Sequence, residues 1–118
     1  MRWINPTTRL AIYHRDGFAC VYCGTGIEIE GTILSLDHVR PKSTGGGNGS
    51  CNLVTACHKC NTVRGDRPLK TWAEDVARYI NHEVTSGQII NRVRFLTRQD
   101  LKSHKTETLK LIASRKES

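Results

Sequence analysis

Apolar residues in this chain come in short bursts between polar, glycine-rich stretches, and they reach a sustained helical spacing only in the second half. Leu10, Ala11 and Tyr13 lie among good helix formers between Thr7 and Arg15, with Asn5 or Thr7 available as a cap and Gly17 as a stop, which predicts a short helix. Ile33 to Leu36 is a β-favouring run that ends in Asp37-His38, and Pro41 prevents a central strand from continuing. Ser43 to Ser50, with Gly45-Gly46-Gly47 and Asn48-Gly49, has no apolar anchor and is expected to be a mobile loop. Leu53 to Ala56 then predicts a return strand, and His58 to Arg64 a short helix closed by Gly65.

Beyond Asp66 the pattern turns helical. Thr71-Trp72-Ala73-Glu74 matches a capping box, and Trp72, Val76, Tyr79 and Ile80 share one helical face, which predicts a helix over 71–83. Ile89 to Leu96 fits a strand or a helix by pattern alone. Thr97 to Asp100 can then cap a terminal helix bearing Leu101, Leu109 and Ile112. The fold class expected is α+β: a small core over 1–68 and a helical, basic extension over 69–118 packed on the same domain.

At 118 residues the chain fits one small domain with a modest capacity to bury apolar surface, so a covalent or metal staple is plausible. The formal net charge of +7 favours a polyanionic partner, because clustered Lys and Arg displace counterions from phosphates. Eight Lys or Arg stand against three Asp or Glu from Gly87 onward, so that tail is either a DNA-contacting extension or a solvated face. No apolar run is long enough to span a membrane, and Met1 to Pro6 lacks the apolar stretch of a signal peptide. A cytoplasmic location without membrane contact is the expectation.

Four of the five cysteines form two C-x-x-C pairs, Cys20/Cys23 and Cys57/Cys60. In a chain with no export signal this spacing points to metal thiolates rather than disulfides, and zinc is the expected structural ion. A redox dithiol is the competing reading of one such pair and suits two pairs poorly. Cys51 reads as an incidental thiol. Between the pairs lie Asp37-His38 and Asn52, and inside the second pair's flank lies Asn61. Phosphodiester hydrolysis needs a base for water and hard oxygen ligands for a divalent ion, and His38, Asp37 and Asn61 are residues of those kinds. Taken singly, Asp37 reads as a turn residue, His38 as a surface histidine and Asn61 as a polar helix position. Their joint spacing carries the signal.

The combination of C-x-x-C, Asp37-His38-Val39-x-Pro41-x-Ser43-x-Gly45-Gly46, Asn52-Leu53-Val54 and Cys57-x-x-Cys60-Asn61-x-x-Arg64-Gly65 resembles the zinc-containing HNH endonucleases of bacterial and phage type, which have a ββα-metal fold. The resemblance spans about Arg15 to Arg67. It implies that His38 is the general base and that Asp37 and Asn61 hold a catalytic Mg2+ or Mn2+. It further implies that Asn52 braces the loop between the strands. Asn61 stands where the family name has its last histidine, and relatives often carry Lys in place of Arg64. Arg40, Lys42, Lys59, Arg64 and Arg67 are the expected nucleic-acid contacts, double-stranded DNA the expected substrate, and a phage packaging or restriction protein a conceivable partner. Three alternatives stand beside this reading: a non-catalytic zinc-ribbon module that binds nucleic acid, a nuclease acting on RNA, and an interaction protein that docks through its Trp72 helix.

Overall fold

The computed structural model of the protein describes residues 3–26 and 33–117; Met1 and Arg2, at the start of the N-terminal reading, lie outside them. Helix α1 (Pro6–Arg15) begins where Asn5 Oδ1 accepts the Thr7 amide at 2.8 Å, with Pro6 preset for the first turn. It ends at Asp16, and the chain reverses through Gly17 and Phe18, both at positive φ (79° and 54°). The junction is welded by charge. Arg15 and Asp16 pair through Nε–Oδ1 at 2.7 Å, both side chains fully buried. Arg15 also donates to the Ser50 and Leu53 carbonyls, while Asp16 Oδ2 accepts the Thr55 amide at 2.7 Å. Every charged atom of the pair thus finds a hydrogen-bond partner, the condition under which a buried ion pair is tolerated.

Strands β1 (Leu34–His38) and β2 (Leu53–Cys57) pair antiparallel, with Leu36 opposite Thr55 and His38 opposite Leu53. Helix α2 (His58–Arg64) follows β2 directly and ends at Gly65, which takes φ 56°. Strand, loop, strand and helix therefore stand as expected. The loop is not free, however: Asn52 Oδ1 accepts the Arg40 amide, and its Nδ2 donates to the Arg40 and Gly47 carbonyls. A polar anchor does what the missing apolar one could not.

The period-2 pleat splits the apolar residues between two cores. Leu34, Leu36 and Leu53 join Ala11, Ile12, Tyr13 and Leu101 on one side, and Val54 and Ala56 join Tyr22, Trp72, Val76, Ile89, Val93 and Leu96 on the other. Covered on both faces, β2 is buried along its whole length. The second core is closed by α3 (Leu69–Asp75) and α4 (Ser86–Thr97).

Several expectations change here. Helix α3 starts at Leu69 after Pro68, so Thr71 lies inside the helix and caps nothing. A π-helical turn over Val76–Ile80 widens the period beyond 3.6 residues, and Tyr79 and Ile80 swing outward, 70% and 38% exposed. The capping box belongs instead to Thr85 and Gln88 at the start of α4. The extension also divides: α4 packs on α3, whereas α5 (Lys102–Glu117) lies along α1. Trp72 is fully buried, which removes it as a docking side chain. No helix among the described residues is long and apolar enough to cross a membrane.

Candidate metal centre and active site

The first C-x-x-C turns over at Gly24 (φ 81°), with the Gly24 amide on the Cys20 carbonyl, and is pinned to β2 where the Val21 amide meets the Thr55 carbonyl at 3.0 Å. The second pair straddles the start of α2. In each, the amide of the later cysteine points at the sulfur of the earlier: Cys23 N to Cys20 Sγ at 3.5 Å, Cys60 N to Cys57 Sγ at 3.3 Å. The four sulfurs lie within 4.8 Å of one another. Tetrahedral zinc with bonds of about 2.3 Å requires sulfurs about 3.8 Å apart, and Cys23 and Cys57 are separated by 3.8 Å, so the set fits the ion. The thiols influence one another as a preformed ligand set would. Cys20 is lowered to about 5 by a hydrogen bond from Cys60, the same contact raises Cys60, and burial raises Cys57. Cys51 is exposed and apart from them.

At the end of β1, consecutive side chains leave on opposite faces. Asp37, 5% exposed, turns with Ser35 toward α2; its Oδ2 accepts the Tyr22 hydroxyl at 2.6 Å and Arg64 Nη1 at 2.5 Å. Burial, then the adjacent Asp37 charge, holds the Tyr22 phenol well above its usual range, so it remains a donor to the carboxylate. Asn61 reaches the same strand from α2: its Nδ2 donates to Ser35 Oγ at 3.0 Å and to the Leu36 carbonyl at 3.1 Å. Those two bonds fix the amide by its nitrogen. Among the described residues Asp37 Oδ1 and Asn61 Oδ1 meet no donor.

His38 turns the other way. Its Nε2 lies 2.9 Å from Asn48 Oδ1, and its ring stacks on Trp3 with centroids 5.2 Å apart and planes at 27°. With Asn48 Oδ1 as acceptor, the Nε2–H tautomer is the one that leaves Nδ1 with a lone pair. No hydrogen bond joins His38 to Asp37 or Asn61 among the described residues. Asn52 sits in the turn opposite His38, where its three bonds tie Arg40 to Gly47 and so hold the loop that carries Asn48.

A family model described as HNH endonuclease matches residues 20–67, the segment holding both cysteine pairs, β1, β2 and α2. Residues 20–67 form an HNH endonuclease domain. Two relatives are CRISPR-associated endonucleases Cas9, from Actinomyces naeslundii (37% identical over 87 residues, 73% of this chain and 7% of the relative) and Corynebacterium diphtheriae (34% over 64 residues, 53% and 6%). A third, the Septu protein PtuB of Bacillus thuringiensis, is 29% identical over 70 residues, 58% of this chain and 27% of that protein. The crystal structure of the type II-C Cas9 from Actinomyces naeslundii superposes with a TM-score of 0.59 at 33% identity, covering 92% of this chain and 12% of that one. The chain thus spans a small fraction of the Cas9 proteins it matches.

Among the expected nucleic-acid contacts of the HNH domain, Arg40, Lys42, Lys59 and Arg67 are exposed. Arg64 is not: it is 1% exposed, and besides Asp37 and Tyr22 its guanidinium donates to the carbonyls of His38 (2.9 Å), Val39 (2.6 Å) and Arg67 (3.1 Å). Arg64 ties α2 to the end of β1 and has no face left for a phosphate. Sequence reasoning also passed over Tyr22, Trp3, Asn48 and the Arg15–Asp16 pair. Only Tyr22, between two metal-binding cysteines, offered a signal of its own.

Proposed function

We propose that this chain hydrolyses phosphodiester bonds in DNA, with zinc held by Cys20, Cys23, Cys57 and Cys60 as a structural staple and Asp37 and Asn61 holding a catalytic divalent ion. His38 is the general base: Nδ1 takes the proton of the attacking water while Asn48 holds Nε2 and Trp3 supports the ring. A divalent ion bound at Asp37 and Asn61 would neutralise charge on the phosphate and the departing oxygen. Asn52 keeps the Arg40-to-Gly47 loop in the shape that presents Asn48, and exposed Arg40 and Lys42 supply positive charge next to His38. The observation that carries this reading is that Asp37 and Asn61 both bond at β1 and α2 while each keeps one oxygen without a donor among the described residues, and that the next residue, His38, is held by Asn48 and Trp3.

The substrate class rests on the likeness to the CRISPR-associated endonuclease Cas9 of Actinomyces naeslundii, whose structure matches 92% of this chain, and RNA is the alternative that the assay separates. A supercoiled plasmid and an RNA of matched length, each incubated with the zinc-loaded chain and no added metal, Mg2+ or Mn2+, test it. Nicked or linear plasmid only with added metal is the expected result. No product under any condition would leave a zinc-stapled nucleic-acid-binding module, and RNA cleavage alone would move the substrate class.

A further inference from the structure

On α4 the residues Asn91, Arg94 and Phe95 follow the spacing i, i+3, i+4 and share one face, opposite the buried Ile89, Val93 and Leu96; Arg98 caps the helix and Gln99 follows it. Together they line a depression of about 430 Å³. The helix carries no acidic residue, and among the described residues neither Arg94 nor Arg98 meets a carboxylate. Cations near a helix C-terminus complement its dipole, which accounts for the arginines without any partner. It does not account for Phe95, an aromatic ring 67% exposed with a guanidinium next to it on the same face. Arginines for phosphates, a free ring face for stacking and the exposed Asn91 amide for base edges form the donor set of a single-stranded nucleic-acid platform, while the Gln99 amide is engaged by His104. In a duplex the bases are already stacked and a flat ring on a helix has nothing to cover.

We propose that this outer face of α4 binds unpaired nucleotides of a single-stranded nucleic acid, as a contact surface separate from the residues of the active site. Helix α4 also touches the Ser50–Asn52 turn, which joins it to the HNH segment.

The test is fluorescence anisotropy with a labelled 12-nucleotide DNA, an RNA of the same sequence and the corresponding duplex, without added divalent ion so that no cleavage intervenes. Binding is thus read independently of whether the chain is a nuclease. Phe95→Ala is expected to weaken single-strand binding by about tenfold and to leave duplex binding unchanged. Arg94→Gln with Arg98→Gln is expected to lower the salt slope for the single strand by about 1.4, at roughly 0.7 per phosphate contact. All three side chains are exposed, so unchanged melting of the variants confirms that the fold is intact. The DNA and RNA arms identify which strand is preferred. Single-strand affinity and salt slope that survive both variants would overturn the proposal and leave the face to solvent or to another polypeptide.

Discussion

Replacing Arg64 with Met removes the group that joins α2 to the catalytic strand while keeping a side chain of similar length. The loss falls mainly on a buried pair: the Asp37 carboxylate keeps only the Tyr22 hydroxyl, and the part-buried carbonyls of His38, Val39 and Arg67 lose their donor. Breaking one side of a buried pair costs about 3–5 kcal/mol, and at 1% exposure solvent offers no screening to reduce that figure. Against a total stability of about 5–15 kcal/mol this is a large fraction. For 118 residues the unfolding entropy is about 0.25 kcal/mol/K, so the melting temperature should fall by about 12–20 °C. Arg64→Lys keeps a charge near Asp37, but one ammonium cannot span the Val39 and Arg67 carbonyls, and roughly half the loss is expected. Calorimetry with zinc determination on both variants checks this. A Met variant that holds its zinc and melts within about 4 °C of the natural protein would refute the reasoning.

Cys57→Ser should cost folding rather than only rate, since zinc binding and folding are coupled by about 10 kcal/mol in small zinc domains; circular dichroism and metal analysis of the purified variant check it. Gly46→Ala would place a methyl group 1.8 Å from the Arg40 carbonyl oxygen and 2.9 Å from Asn52 Nδ2, so the loop must move. Plasmid cleavage should drop while zinc content stays the same. The third concerns pH. His14 and His104 meet through their Nδ1 atoms at 2.8 Å where α1 and α5 pack, and burial followed by the neighbouring His14 holds His104 below its ordinary range. The unfolded chain then takes up a proton that the folded one resists, so this contribution is complete above about pH 6.5 and declines as pH falls below it. Melting curves from pH 8 to 5 should show that decline, and His104→Gln should flatten it.

What could be read from the residues alone was what short-range chemistry decides. Asn5, Gly17 and Gly65 bound their helices as cap rules require, the β-favouring run Ile33 to Leu36 marked the first strand, and the two cysteine spacings named the metal site. The remainder depends on contacts far apart in sequence. A π-helical turn at Val76–Ile80 breaks the 3.6-residue count on which the Trp72 face was built, and nothing local announces it. Arg64 looks like any basic residue of a nucleic-acid binder until Asp37 and Tyr22 close around it. Docking of α5 on α1 joins positions 90 residues apart through His14 and His104, beyond the reach of any periodicity.

The most direct test of the account is cleavage of supercoiled plasmid by His38→Ala beside the natural protein, with zinc content and DNA affinity measured on the same preparations. In the proposed function His38 supplies a proton acceptor and neither a zinc ligand nor a core contact, so cleavage should disappear while one zinc per chain and the DNA affinity are retained. Undiminished cleavage by His38→Ala would contradict the assignment of the active site.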